Sequence, residues 1–530
     1  MSSATLHRLP LAGVLRLGRP SDIWFKPALS VVAAVAPANL ILVALGRLDL
    51  AMYTMAGSLC ALYGHSRPYA ARARVLAWVV LGMVVGLAVS LLAASLTSNA
   101  VVLVTVGAVM AAVQKTVSDA TRLGPPGNVV LTFISSASLF APQTPGQVPG
   151  HVGLALAAGA WAWLVGMAPG LLRPHGPERR ATAQALNAAA AYADTRGTAD
   201  GHARERLLVR AEVALAAPAD TDPARLRAWA RELRGTGRIP RVASPRESAD
   251  ELLGIDTELS LRRRPLRHRL APLAPIAART AIGCALAGYA SLALGVGRPY
   301  WALVTAASLY QANVTLTWRR GIQRVVGNVV GVLVFAVIAP LAHLHPVALV
   351  LCCLAFNFGA EALIARNYWL GTVCVTPMAL LITEFARAQN PAELISERVA
   401  DTLVGALVGF VAAVAVTNRR AGDRLEHALA TAERARENAA RLLAEPHPAP
   451  RALESARRSL AAALADLGAT ADAASGEWWQ RALPEERVVL AEQAGHRTLA
   501  ATVRRQGFVP RHRNQDPVQD PGRTTEDIRP

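Results

Sequence analysis

Two long stretches of the chain, residues 28–172 and 273–417, are nearly free of charge, whereas 173–272 and 418–530 are rich in Arg, Asp and Glu. The order is apolar, polar, apolar, polar. A helix needs about 20 apolar residues to cross the hydrocarbon core of a bilayer. On that measure the first apolar stretch divides into six segments, near 28–46, 49–64, 75–96, 99–117, 127–142 and 151–172. The second divides near 273–295, 299–316, 321–341, 345–363, 368–386 and 398–417. Segments 49–64 and 127–142 are short, and the sequence leaves open whether they cross or only dip in. The polar stretches carry helical periodicity, for example at 203–217, 223–234, 421–445, 450–468 and 484–505, with a break at Gly235–Pro245. The pattern predicts an all-α polytopic membrane protein. Its expected parts are an N-terminal piece (1–27), a first transmembrane repeat (28–172), a cytoplasmic helical segment (173–272), a second repeat (273–417), a helical tail (418–505) and a disordered end (506–530). Trp478-Trp479 in the tail reads as a packing anchor or a membrane-surface contact.

Loop charge orients this arrangement. With the N-terminus in the cytoplasm, the short inner loops hold Arg67, Arg72, Arg74, Lys115, Arg122, Arg319, Arg320, Arg324 and Arg366. The short outer loops then hold only Arg47, Arg298, Arg387 and Arg398. The excess of basic residues inside supports this orientation, with both termini cytoplasmic. An even number of segments per half gives the halves the same orientation, so they are expected to be parallel repeats. Arg72 and Arg74 precede Gly82 and Gly86, just as Arg319 and Arg320 precede Gly327 and Gly331. Glycines four apart let helices approach closely, and Gly405 and Gly409 repeat the spacing.

Composition agrees with a membrane protein: 53% hydrophobic and 17% charged residues, with a mean hydropathy of +0.30, against about 25% charged residues in soluble domains. The net charge of +18 follows from basic inner loops, and no nucleic-acid-binding signature accompanies it. All but two of the 55 basic residues are arginine, the exceptions being Lys26 and Lys115, so arginine over lysine carries little meaning. Cys60, Cys284, Cys352, Cys353 and Cys374 lie in apolar segments without metal-ligand spacing and read as small buried hydrophobes. The first 26 residues are basic and show no cleavable leader pattern, so the first apolar segment is expected to be an uncleaved anchor.

No phosphate loop, zinc-protease or serine-hydrolase motif occurs. The expectation is therefore no enzyme, no cofactor and no metal, with any transport driven by a gradient, the membrane potential or a partner. Polar groups inside the membrane are the next candidates. Glu361 reads as a protonatable gate or a partner of Arg366, or as a side chain reaching the interface. Arg279 reads as an anion-facing group or as one snorkelling to the cytoplasmic side. Gln311, Asn313, Asn328 and Asn39 line a path or bond across helices. Arg319, Arg320 and Arg324 form the densest short basic cluster, either a mark of topology or an electropositive vestibule. His343 and His345 fall in an expected solvated loop.

The stretch Gly297-Arg-Pro-Tyr-Trp301-Ala-Leu-Val-Thr305, followed by Trp318-Arg319-Arg320-Gly-Ile-Gln-Arg324-Val-Val-Gly327-Asn-Val-Val-Gly331, resembles the fusaric-acid-resistance-like family, the integral membrane bound transporter domain. Arg366-Asn-Tyr-Trp369-Leu-Gly371 and Thr376-Pro377 resemble it too; the first half does so more weakly. The resemblance implies an inner-membrane protein exporting small organic, chiefly aromatic carboxylic, acids without ATP hydrolysis. It implies a substrate path near Arg319, Arg320 and Arg324, with Trp301 and Thr305 as scaffold or path residues. A membrane-fusion partner and a homo-oligomer are compatible with it. The alternative is a scaffold or regulator acting through the polar helical segments.

Overall fold

A computed structural model describes residues 11–18, 23–174 except Arg122, 273–416 except Ala312 and 386–388, 421–475 and 484–508, with positions 176, 177, 180 and 270. The expected helices at 203–217 and 223–234, the tryptophan pair at 478–479 and residues 509–530 lie outside these. All regular structure among the described residues is helical.

Each apolar half contributes six helices. In the first they are α1 (Phe25–Ala44), α2 (Ala51–Ser58), α3 (Tyr69–Leu96), α4 (Ala100–Ala120), α5 (Val129–Ser138) and α6 (Val148–Leu172). In the second they are α7 (Ala274–Ala293), α8 (Pro299–Leu309), α9 (Val314–Ala342), α10 (Pro346–Ile364), α11 (Tyr368–Glu384) and α12 (Pro391–Ala415). Eight described helices, four in each half, are long and apolar enough to cross a membrane. Their outer faces expose large apolar side chains such as Trp78, Leu96, Leu333 and Val337, as a lipid-facing surface requires. The chain is a multi-pass membrane protein.

Six crossing segments per half were expected; the other two in each half are shorter. Helices α2, α5, α8 and α11 have 8, 10, 11 and 17 residues, so the shortest span only about 12–17 Å at 1.5 Å per residue. Two boundaries also move. The segment expected at 299–316 breaks after Leu309, because Asn313 caps a new helix by accepting from the Leu316 amide. The last segment starts at Pro391 instead of 398: Asn390 caps it, and proline suits the first turn, where no amide hydrogen is needed.

The helix order and packing run alike in the two halves. The second helix packs on the sixth, the third on the fifth and sixth, and the fourth on the fifth. Between the halves, α1 runs along α10 and α7 along α4. A shared apolar core joins α1, α2, α3 and α6 to α9, α10 and α11, with Leu87, Leu91, Phe335 and Leu381 among its members.

Two ends can be told apart by contacts. At the near end, residues 11–18 lie against α9 and α11: Val14 O accepts from Gln323 Nε2 at 2.8 Å and Asn367 Nδ2 at 3.1 Å. The far end holds residues 45–50, 139–147, 294–298, 385, 389 and 390. After the membrane region, α13 (Ala421–Ala444), α14 (Pro450–Ser475) and α15 (Glu485–Phe508) pack as a three-helix bundle around Leu429, Leu460, Leu464 and Leu467. Asn313 Nδ2 donates to Asp472 O at 2.9 Å, which seats this bundle at the near end.

Candidate functional site

The buried polar groups of the second half line up between α8, α9, α11 and α12. Gly327 and Gly331 make this possible. A Cβ on Gly327 would stand 2.6 Å from Thr372 Cβ, and one on Gly331 2.6 Å from Thr376 Cβ, so only glycine lets α9 lie this close to α11. The close approach brings Asn328 to Thr376, whose hydroxyl donates to Asn328 Oδ1 at 2.9 Å.

Arg398 reaches the same oxygen from α12, Nε to Oδ1 at 3.1 Å, and its guanidinium lies 3.7 Å from the centre of the Trp301 ring. It is 1% exposed, and its Nη1 is buried without a hydrogen-bond partner. Arg324, on the previous turn of α9 from Asn328, donates to the Tyr368 hydroxyl at 3.1 Å, and its Nε also lacks a partner. Arg320 stacks on the other side of the ladder, 3.1 Å from the Tyr368 ring centre. Thr305, fully buried on α8, has an unpartnered hydroxyl. Three guanidinium groups thus follow one another from the near end towards the middle of the bundle, and among the described residues none of them makes an ion pair.

The nearest buried carboxylate on α12 is engaged elsewhere. Asp401 accepts from Ser291 Oγ at 2.6 Å and from the Arg298 amide at 2.9 Å. It sits at the N-terminus of α8, where the helix dipole favours an anion. Gly297 has φ +56°, and a Cβ there would stand 2.6 Å from Asp401 Oδ2, so glycine is needed on both counts. This accounts for the Gly297-Arg-Pro motif: a glycine turn, an amide for Asp401, then proline opening α8.

Above Trp301, at the far end, a cavity of about 640 Å³ lies between the halves. The short helices α2, α5, α8 and α11 all contribute to its wall, with Tyr53, Phe133, Phe140, Tyr300, Arg298 and Thr383 among the lining residues. The Tyr300 and Trp301 rings are 4.9 Å apart and Phe133 and Trp301 5.5 Å. An aromatic floor therefore separates the cavity from Arg398.

Of the residues singled out from the sequence, Arg320, Arg324, Trp301, Thr305, Gly327 and Gly331 come together here. Arg319 is exposed one position before Arg320, on the first turns of α9 and not in a loop. Arg366 is exposed at the near end, where its carbonyl accepts from the Gly18 amide. Glu361 makes no ion pair with it among the described residues. Arg279 is buried, and its Nε and Nη2 donate to Val416 O at 3.0 and 2.8 Å, holding the C-terminal end of α12. Arg398, counted from the sequence as an outer-loop residue, is instead the most enclosed cation of the ladder. The signal available was Asn390-Pro391, a cap followed by a first-turn proline, which starts the helix before Arg398. His343, expected in a solvated loop, is exposed in the turn after α9, and its Nε2 lies 3.1 and 3.0 Å from the two Glu384 carboxyl oxygens.

Among the described residues the first half has no such ladder. Its corresponding groove holds neutral groups: Asn128 donates to Thr132, Thr132 to Gln114 Oε1, and Gln114 Nε2 to Ser135.

Residues 284–412 match the family model described as fusaric acid resistance protein-like. Every member of the ladder lies within that span. Over 139 residues the chain is 32% identical to the uncharacterized membrane protein YvaC of Bacillus subtilis (strain 168), a region covering 26% of this chain and 22% of that protein's length. No solved structure matches. The second half is therefore similar to the fusaric acid resistance protein-like family over the stretch that holds its motifs.

Proposed function

We propose that the chain is a transporter of small organic anions, aromatic carboxylates among them, which pass along the arginine ladder of the second half without ATP hydrolysis. The carrying observation is Arg398, a fully buried cation that makes no ion pair among the described residues and has one nitrogen without a hydrogen bond. Burying a charge without a paired ion is costly, and inside a membrane such groups mark ion and substrate pathways. An anion between Arg324 and Arg398 supplies the missing charge and the missing acceptors; the aromatic floor beneath the cavity suits a ring attached to it.

The protein sits in the plasma membrane with both termini cytoplasmic, so the ladder opens inward and the cavity outward, which makes the direction export. The excess of basic residues in near-end loops supports this. The two apolar halves are parallel repeats related by a pseudo-twofold axis between them. Their matching helix lengths, matching neighbours and reciprocal pairing of α1 with α10 and α7 with α4 support that reading. In the register set by Gly82/Gly86 and Gly327/Gly331, Arg324 corresponds to Val79 and Asn328 to Met83. The repeats have diverged, and only the second holds the path.

The test is flux through proteoliposomes containing the full chain, with benzoate, salicylate and benzenesulfonate as probes. Arg398→Ala and Arg324→Ala are each expected to lower flux by about tenfold or more, the equivalent of roughly 1.4 kcal/mol. Arg398→Lys retains charge but not the planar fork and should lie between. Unchanged flux in both alanine variants sinks the proposal.

A second reading, a scaffold working through its polar helices, is favoured by the contact of Asn313 with Asp472 O. On that reading, removal of 421–530 abolishes function in cells while the ladder variants leave it intact.

A further inference from the structure

Glu384 is the last residue of α11 and is 5% exposed. It meets the His343 imidazole, whose Nε2 lies 3.0 Å from Oε2 and 3.1 Å from Oε1. His343 is the C-cap of α9 and remains partly open to solvent, with 35% of its side chain exposed. Both groups thus stand at helix C-terminal ends, where the backbone dipole favours positive charge. The imidazole matches that field and the carboxylate opposes it.

The pair has a simple charge count. With neutral imidazole and ionised carboxylate it carries −1. One added proton makes it neutral overall, and that proton can enter from water through the exposed edge of His343. In a poorly solvated wall, the step from −1 to 0 changes how firmly the end of α11 is held. Among the described residues, Arg47, Asp49 and His151 line the far-end cavity, and the charged groups of the helices packed on α11 lie away from the pair. On α9, Arg320 and Arg324 lie towards the opposite end; on α10, Glu361 does too, while His345 at its start caps the helix by accepting from the Val347 amide. Arg298 pairs with Glu397 at 3.3 Å and donates to Gln389, which in turn donates to Thr383 O at 3.1 Å.

Helix α11 carries the ladder residues Tyr368, Thr372 and Thr376 at one end and Glu384 at the other. Pro377 lies between them, and prolines kink helices. Ile382, Thr383 and Phe385, on either side of Glu384, line the far-end cavity. One short helix therefore touches both the anion ladder and a protonatable pair at the opposite mouth.

We infer that Glu384 and His343 form a proton-binding site that couples proton movement to anion passage, through the position of α11. The inference rests on the transport reading above, and the experiment separates the two. Full-length chain in proteoliposomes is assayed with labelled benzenesulfonate, which stays charged and carries no proton itself. Net flux driven by a pH gradient is compared with equilibrium exchange at equal pH. In the wild-type chain the gradient should accelerate net flux. Glu384→Gln should make net flux independent of the gradient while exchange stays within about twofold, and retained exchange also shows that the variant is folded. Glu384→Asp should restore gradient dependence, and His343→Gln should move the midpoint of the pH profile by about one unit. If Glu384→Gln keeps its gradient dependence, or loses exchange along with net flux as a mere clamp would, the coupling site is refuted. If wild-type chain exchanges neither this probe nor the carboxylates, the transport reading fails first and takes the coupling with it.

Discussion

At the scale of single residues, Asn328 joins the ladder together. Its carbonyl oxygen accepts from both Thr376 and Arg398, and its amide donates to Arg324 O at 2.9 Å. Asn328→Leu fills a similar volume but leaves the buried Arg398 Nε without an acceptor, while the Thr376 hydroxyl keeps the Thr372 carbonyl at 2.9 Å. Such an orphaned group costs about 1–3 kcal/mol, more for a charge. The expected result is a markedly lower melting temperature in detergent, with flux lost; Trp301→Phe, which keeps a ring beneath Arg398, should melt close to wild type. Little of this arrangement was legible beforehand. Arg320, Arg324, Trp301, Thr305 and the glycine pair were picked out by motif, and they do meet. Arg398 was missed because its partners lie 70 and 97 positions away in sequence, and its value depends on packing that spacing alone does not encode. His343 does lie exposed in the turn after α9, as its loop reading had it; only its contact with Glu384, 41 residues further on, was beyond the reach of local pattern.

At the scale of elements, the long apolar helices were readable because each satisfies its own backbone and has the length to cross. The short ones were harder. Gln311 and Asn313 interrupt the apolar run only briefly, and the cap at Asn313 is what starts a new helix there. Close packing of α9 on α11 gives a direct prediction. Gly331→Val places branched carbon where Thr376 Cβ and the Val373 carbonyl already stand, and should separate the helices. The ladder should then fail even though no polar residue has changed, measured as lost flux and increased proteolysis between α9 and α11. The C-terminal bundle has its own signature. Leu464 is 3% exposed, packed beneath Gly495, and Leu464→Ala should destabilise the bundle by about 2–4 kcal/mol, seen as faster hydrogen exchange in α13–α15 alone. Burial holds His496 below its ordinary value, at about 4. The folded bundle keeps the imidazole neutral while the unfolded chain takes up a proton below about 6.5. Bundle stability should therefore be full above pH 6.5 and fall as the pH drops towards 4; His496→Leu should flatten that dependence.

At the scale of the whole molecule, the reciprocal pairing of α1 with α10 and α4 with α7 interlocks the halves within one chain. The Thr105 and Tyr289 hydroxyls meet at 2.7 Å across α4 and α7, and Trp24 and Phe358 pack ring to ring at 6.3 Å at the base of α1 and α10. With the native cysteines replaced, Thr105→Cys with Tyr289→Cys, and Trp24→Cys with Phe358→Cys, should each join within a single chain under a short bismaleimide. Products at twice the chain mass would show instead that the halves pair between copies. The four alternating blocks and the matched glycine pairs were visible in the sequence, and so was a divergence of the halves, since in that glycine register Val79 and Met83 stand opposite Arg324 and Asn328. That divergence has a kinetic consequence. A chain with two equivalent ladders would present two interacting sites and curved saturation plots. A chain with one presents a single class of site, so flux should rise with anion concentration as a simple hyperbola with a Hill coefficient of one. An inhibitor lodged at Arg398 should titrate to one molecule per polypeptide, whatever number of chains assemble in the bilayer.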